Sequence, residues 1–516
     1  MAHQIFFYNG RIYTGDKKRP WVSALLIEDQ YISAIGESHE FSPSISRDSI
    51  VYDLQEKIVL PGFCDCHIHI SDWAKKITQL NLGDCKSYSE VLEKIRQHNK
   101  GQTWIIGWGW NANTWDEYII PRASDLAFLP SSTKAILINK DYHTAWVNYP
   151  VFDLIDTRKL VKYIQKGLVP LDELGKPVGI FKEDALNELI SPMIQNMESP
   201  VFQEPEKIFK ELFKNGITTV HAVEEYENFI KYQDLYQDPL KRGPRFRSYI
   251  YWDDHEAVEK MYKSSGGGGN WFEFLGMKIF LDGSLGSRSA AMRFDYSDNT
   301  AQNFLKYTDK ELKDIFSKAS RNHWNMMIHV IGDAALEQFF NTINSFNGKC
   351  RLEHVQYIPE DLFKKSIWQD LTVCINPSHL PGDIALAEKM WGKEKCRYAY
   401  NYRDLWRTNA NIIFGSDAPV ESINPWNAIQ AAVFRYPEKE EKSWHPEQSL
   451  TLEECIEALT INPSIAIGKE NNVGKLVPGM LADLIVLNGD PFESESFLSL
   501  ETVLTILDGR VVYSAL

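Results

Sequence analysis

Pro61-Gly-Phe-Cys-Asp-Cys-His-Ile-His-Ile70 follows the apolar run Lys57-Ile-Val-Leu60 and sets two cysteines and two histidines between positions 64 and 69. Side chains of a strand alternate between its faces, so Asp65, His67 and His69 are expected on one side. Cys64, Cys66 and Ile68 then occupy the other, a small apolar face suited to packing under covering helices. Two imidazoles at i and i+2 can chelate one ion, and Asp65 is placed to orient one of them from behind. A lone His-x-His inside a strand is more often incidental than ligating. Its meaning depends on the rest of the chain.

Working outward, apolar strands alternate with amphipathic helices, the rhythm of a parallel sheet built from βα units. Eight strand candidates lie near residues 62–69, 216–222, 246–252, 274–281, 325–331, 351–357, 371–376 and 411–416. Eight is the count of a closed (β/α)8 TIM-like barrel, whose chemistry sits at the C-terminal ends of its strands. Residues 75–210 are too long for one βα connection and are expected to form an insertion over the barrel mouth. This span contains the tryptophans Trp104, Trp108, Trp110 and Trp115, which suit either an apolar pocket or the insertion's own core. Residues 1–60 and 465–516 are β-rich, with a hairpin closing at Asp508-Gly509. Both ends are expected to build one small β-sandwich domain beside a barrel of residues 61–464. Ser264-Ser-Gly-Gly-Gly-Gly269 reads as a flexible loop.

The strand-end theme repeats. His329 ends the fifth candidate strand, Glu353-His354 lies on the sixth, and Gly415-Ser-Asp417-Ala-Pro follows the eighth. Four imidazoles and a carboxylate converging there suit Zn²⁺, and also Mn²⁺, Fe²⁺ or Co²⁺. The fourth candidate carries Lys278 among apolar residues, where a buried amine needs a partner or a task. It either pairs with a carboxylate or, as a neutral amine, takes up carbon dioxide to give a carbamate that bridges two metals. Asp417 is either a helix N-cap or a ligand and general base; its coincidence with the other strand ends favours the second reading.

The 516 residues carry 55 basic and 70 acidic side chains, a net charge of −15, which argues against nucleic acid or anionic lipid as the main partner. No apolar run approaches the ~20 residues that span a bilayer. Seven scattered cysteines do not suggest a disulfide framework. The expectation is a reduced, cytoplasmic enzyme that acts on a small molecule, with homo-oligomerisation left open.

In the order and spacing of these motifs the chain resembles the metal-dependent amidohydrolase superfamily, in the branch of the N-substituted formamide deformylases. The resemblance rests on Leu60-Pro-Gly-Phe-Cys-Asp-Cys-His-Ile-His69, Gly216-Ile-Thr-Thr-Val-His221, Lys278-Ile-Phe-Leu-Asp-Gly-Ser284, His329-Val-Ile-Gly-Asp-Ala-Ala335, Glu353-His354, Gly415-Ser-Asp-Ala-Pro-Val420 and Gly474-Lys-Leu-Val-Pro-Gly479. It implies that His67, His69, a carboxylated Lys278, His329, His354 and Asp417 hold one or two divalent metals, with zinc favoured. It also implies hydrolysis of amide- or formamide-type C–N bonds by a metal-activated water, with Asp417 as base. His379, Asp282, Arg288 and His143 are candidates for substrate contact. Two other classes compete. A deaminase of the same superfamily would show His-x-x-Glu after the fifth strand, where this chain has His329-Val-Ile-Gly-Asp333. A non-catalytic barrel serving as a binding module would be expected to have lost ligands, whereas all six positions are filled.

Overall fold

The computed structural model describes residues 4–41, 48–112, 115–140, 143–240, 242–261, 269–297, 305–437 and 442–516. The stretch 264–268, expected as part of a flexible loop, lies outside these residues. The chain divides into two compact units, one of residues 1–73 with 201–516 and one of residues 74–200.

The first unit contains all eight expected barrel strands: β1 (Phe63–Ile68), β2 (Ile217–Glu224), β3 (Arg245–Tyr251), β4 (Phe272–Phe280), β5 (Asn325–Val330), β6 (Cys350–His354), β7 (Thr372–Ile375) and β8 (Asn411–Phe414). They pair in parallel and in chain order from β1 to β8. Closure comes just beyond β8, where Asp417 N donates to His67 O at 2.6 Å and His69 N donates to Ala418 O at 2.9 Å. Helices follow the strands, and period-two alternation decides what each strand offers them. On β5, Met326 and Ile328 join the apolar layer formed with Leu312, Phe316, Leu336 and Phe339. Met327 and His329 point the other way, Met327 into a cluster with Val223, Tyr249 and Leu275. The helix Asp309–Arg321 before β5 starts on a reciprocal cap: Thr308 Oγ1 accepts from Glu311 N, and Glu311 Oε2 accepts from Thr308 N.

Both chain ends contribute to two further sheets in the same unit. The six-stranded sheet runs Arg510–Ser514, Thr502–Leu507, Leu484–Leu487, Ile58–Pro61, Arg11–Tyr13 and Trp21–Val22. The four-stranded one runs Tyr31–Gly36, Ala24–Glu28, Gln4–Tyr8 and Ile50–Asp53. One core joins them: Ile5, Phe7, Leu25 and Ile27 from the smaller sheet pack with Val59, Leu484, Val486, Leu504 and Ile506 from the larger. The last hairpin turns through Asp508 and Gly509, at φ of 55° and 73°, the left-handed pair a two-residue hairpin requires.

The second unit has its own five-stranded sheet, ordered Ile180–Lys182, Thr144–Val147, Lys134–Asn139, Trp104–Trp110 and Leu80–Asn81. It begins and ends inside the expected insertion of 75–210 or one residue outside it. Trp110 and Trp115 are buried in its core with Trp146, which places them as packing residues of this unit. Among the described residues no helix is long and apolar enough to cross a membrane.

Candidate metal centre

The barrel brings the strand-end histidines together. Ring centroids of His67 lie 5.5 Å from His69 and 5.1 Å from His354, and His329 lies 4.5 Å from His354. Asp417 faces them: its Oδ1 is 3.5 Å from His67 Nε2 and 3.3 Å from His69 Nε2. His379 approaches the other oxygen, with Nε2 3.6 Å from Oδ2. His67, His69 and Asp417 each offer a ligand atom, all within 4.8 Å of one another. Lys278, on β4, is buried, and its Nζ has no hydrogen-bond partner among the described residues.

Close polar contacts bear on which imidazole nitrogens keep a free lone pair. Glu353 Oε2 lies 2.6 Å from His67 Nδ1, a close contact outside hydrogen-bond geometry; because a carboxylate can only accept, it favours the proton on Nδ1 and leaves Nε2 as the free nitrogen. The Gly283 carbonyl, 3.0 Å from His329 Nε2, takes the proton there and leaves Nδ1 free. That Nδ1 and the Nδ1 of His354 are buried with no hydrogen-bond partner among the described residues. Tyr251 Oη stands 3.1 Å from His69 Nδ1 and holds that ring from behind.

The electrostatics suit a cation. Burial, then Lys278, pushes the His67 imidazole down to about 4 and that of His329 down to about 3, so both are neutral near pH 7. Burial pushes Lys278 down to about 8, against the opposing pull of Glu353 and Asp417. Burial alone would raise the Asp417 carboxyl, but His67, His69 and His354 outweigh it and hold Asp417 well below the usual range. Neutral imidazoles, an ionised carboxylate and buried lone pairs without partners form a donor set that fits a divalent ion.

Other expectations change. Cys64 and Cys66 do not pack under the helices; they cluster with Cys374 and Ile413 inside the barrel. The cause is a bulge: β2 pairs Val220 with Asp65 but Ala222 with Ile68, so β1 carries one extra residue at Cys66-His67. The two sulfurs lie 3.6 Å apart and near His221. Arg351, however, donates to His221 Nδ1 at 2.9 Å, which leaves the imidazole proton on Nε2 and neither nitrogen free to ligate. Asp65 orients no imidazole. It accepts from Ser416 Oγ at 2.6 Å and Ser416 N at 2.9 Å, tying the segment after β8 to β1. The carboxylate behind His67 is Glu353, which the sequence reading left without a role.

Asp282 is fully buried and accepts from the backbone N–H groups of Ala291, Ile331 and Gly332, so it holds the loop after β4. Arg288 is half-buried on that loop, at φ 57°. His143 lies in the second unit, exposed and 2.9 Å from Glu183 Oε2. Two inward charges on one strand, Arg351 and Glu353 at i and i+2, were the sequence signal that could have pointed to the support of His67.

A closed (β/α)8 barrel with imidazole and carboxylate donors gathered at the C-terminal ends of its strands is the architecture of a barrel hydrolase. Residues 51–513 match the family model described as the amidohydrolase family, and the chain belongs to that family. It is 26% identical to the putative amidohydrolase YtcJ of Bacillus subtilis (strain 168), over 98% of this chain and 99% of that protein. It is 23% identical to the N-substituted formamide deformylase of Arthrobacter pascens, over 99% of this chain and 98% of that enzyme. The same fold occurs in an uncharacterised metal-dependent hydrolase from Pyrococcus furiosus, with a TM-score of 0.78 at 23% identity over 95% of this chain and 100% of the other.

Proposed function

We propose that this hydrolase is metal-dependent and cleaves non-peptide C–N bonds of the amide or formamide type. The observation that carries the reading is the gathering of His67, His69 and Asp417, whose ligand atoms lie within 4.8 Å of one another, with the His354 ring 5.1 Å from His67 and the His329 ring 4.5 Å from His354. In it His67 would ligate through Nε2 and His329 through Nδ1, the nitrogens that the contacts with Glu353 and the Gly283 carbonyl leave free. The all N/O donor set favours Zn²⁺. A divalent ion held there supplies Lewis acidity and lowers the pKa of a bound water. Lys278 is the residue for a carbamate: its buried amine, pushed down to about 8, adds carbon dioxide and releases a proton, giving an anion that can bridge two ions.

Asp417 then accepts the proton of the attacking water and delivers it to the leaving nitrogen. The similarity to a formamide deformylase supports an N-substituted formamide as the first substrate class to try. A deaminase is disfavoured by Asp333: the carboxylate after His329 is engaged by Arg293 N at 2.9 Å and Arg293 Nε at 3.0 Å, away from the histidines. The test is metal analysis of the purified protein followed by amine-release assays on a panel of N-substituted formamides and N-acyl amines. Substoichiometric metal under every loading condition, or no amine from any member of the panel, would reject the proposal.

A further inference from the structure

Below the histidines the barrel interior is charged where such barrels are usually filled with branched apolar side chains. Arg351 and Glu353, two residues apart on β6, are both buried. Glu353 Oε1 accepts from Arg351 Nε at 2.5 Å and Oε2 accepts from Nη2 at 3.2 Å. The same guanidinium donates to His221 Nδ1 at 2.9 Å and to the Cys66 carbonyl. Glu353 Oε2 in turn lies 2.6 Å from His67 Nδ1. The run His221–Arg351–Glu353–His67 therefore ties β2, β6 and β1 together through the middle of the barrel.

Stability alone does not account for this pair, because well-packed apolar residues replace buried ion pairs at little or no cost. Its contacts fall at one special place. The carbonyl that Arg351 holds belongs to the bulge of β1, and the imidazole that Glu353 holds is the residue directly after it. A bulge re-aims the side chain that follows, and an unsupported bulge would let that side chain swing. We propose that Arg351 and Glu353 are positioning residues for His67. Arg351 pins the bulge, and Glu353 pins the ring with the proton on Nδ1, so that the Nε2 lone pair faces the ion. Neither residue touches substrate. The inference rests on the metal reading given above and deepens it by naming what makes His67 a ligand; losing such a supporting partner typically lowers metal affinity by about 10- to 100-fold.

The double variant Arg351→Met/Glu353→Leu tests this, because it removes both charges together and strands neither. Thermal unfolding of the metal-free protein, Zn²⁺ affinity by chelator competition and the visible spectrum of the Co²⁺-loaded form are compared with wild type. The expected result is a metal-free Tm at or above wild type, Zn²⁺ binding weakened by about 10- to 100-fold, and a changed Co²⁺ spectrum. A folded double variant that keeps Zn²⁺ affinity within about two-fold and an unchanged Co²⁺ spectrum would overturn the assignment. Should that variant not fold, Arg351→Lys carries the test: it keeps the charge beside Glu353 but cannot also reach the Cys66 carbonyl and His221. It should weaken Zn²⁺ binding by about ten-fold, and wild-type affinity in it would equally overturn the proposal. Wild-type protein that binds no Zn²⁺ at all would instead bring down the metal reading, before any variant is compared.

Discussion

Asp417→Asn is the most direct test of the proposed chemistry, because the structure separates its effect on catalysis from its effect on folding. Asp417 has φ 57°, in the left-handed region that Asn tolerates as readily as Asp. Its fold contacts are made by backbone: N–H to His67 O at 2.6 Å and C=O from Val420 N at 2.9 Å. The substitution keeps both, along with the side-chain volume. What it removes is a negative charge 3.3 to 3.6 Å from ring nitrogens of His67, His69 and His379, and with it the group proposed to take the proton of water. General-base catalysis contributes about 10²- to 10⁴-fold, which corresponds to roughly 2.7–5.4 kcal/mol of barrier. The amide oxygen of Asn and the imidazoles of the proposed centre would still be available to hold the ion. On the best substrate of the panel, kcat should fall by about 10²- to 10⁴-fold with KM nearly unchanged and metal content retained. Turnover within about ten-fold of wild type at equal metal content would refute the assignment of Asp417 as base.

Two further outcomes concern the frame around the site. Arg245, buried at the start of β3, binds Asp483 through Nε at 2.7 Å and Nη2 at 3.0 Å and reaches Asp508 at 2.9 Å, joining the barrel to the terminal hairpin. Arg245→Met leaves the buried Asp483 unpaired and should lower stability by about 3–5 kcal/mol in urea unfolding, with the double variant Arg245→Met/Asp483→Asn recovering much of the loss. Glu224, at the end of β2, accepts from Ser71 N at 3.1 Å, and burial pushes its carboxyl up to about 7. A carboxyl raised in the folded state is at no disadvantage while protonated and becomes costly once ionised, so its contribution to stability is lost as pH rises from about 4.5 to 7. Glu224→Gln keeps the acceptor for Ser71 and should raise the metal-free Tm at pH 8 while leaving it unchanged near pH 4; equal gains at both pH values would reject the linkage.

The barrel was legible because its signals are local. Alternation along β5, with Met326 and Ile328 toward the helices and Met327 and His329 inward, needs only six consecutive residues. The same holds for the terminal hairpin, whose Asp508-Gly509 turn dictates its own register. The same rule failed within β1, where the expectation put both cysteines on the outer face with strict period two. One extra residue at Cys66-His67 shifts the phase, and nothing in those ten residues marks the shift. Asp65 went astray for a related reason: its partner Ser416 is 351 positions away in the chain.

Glu353 shows the limit most clearly. In an ideal strand it and His354 would point to opposite faces, so a ligand role for one argues against any role for the other at the same site. The chain escapes that rule by ending the strand there, with His354 at φ 71° and Val355 at φ 44°. The departure from extended geometry lets two adjacent residues approach His67 together, Glu353 at 2.6 Å and the His354 ring at 5.1 Å. Two of the places where strand regularity fails, the bulge at Cys66-His67 and the left-handed turn at His354, adjoin ligands of the proposed centre. Regular strands can line a barrel, but gathering the side chains of the proposed centre uses local breaks in regularity, and the one before His67 is held by the long-range partner Arg351.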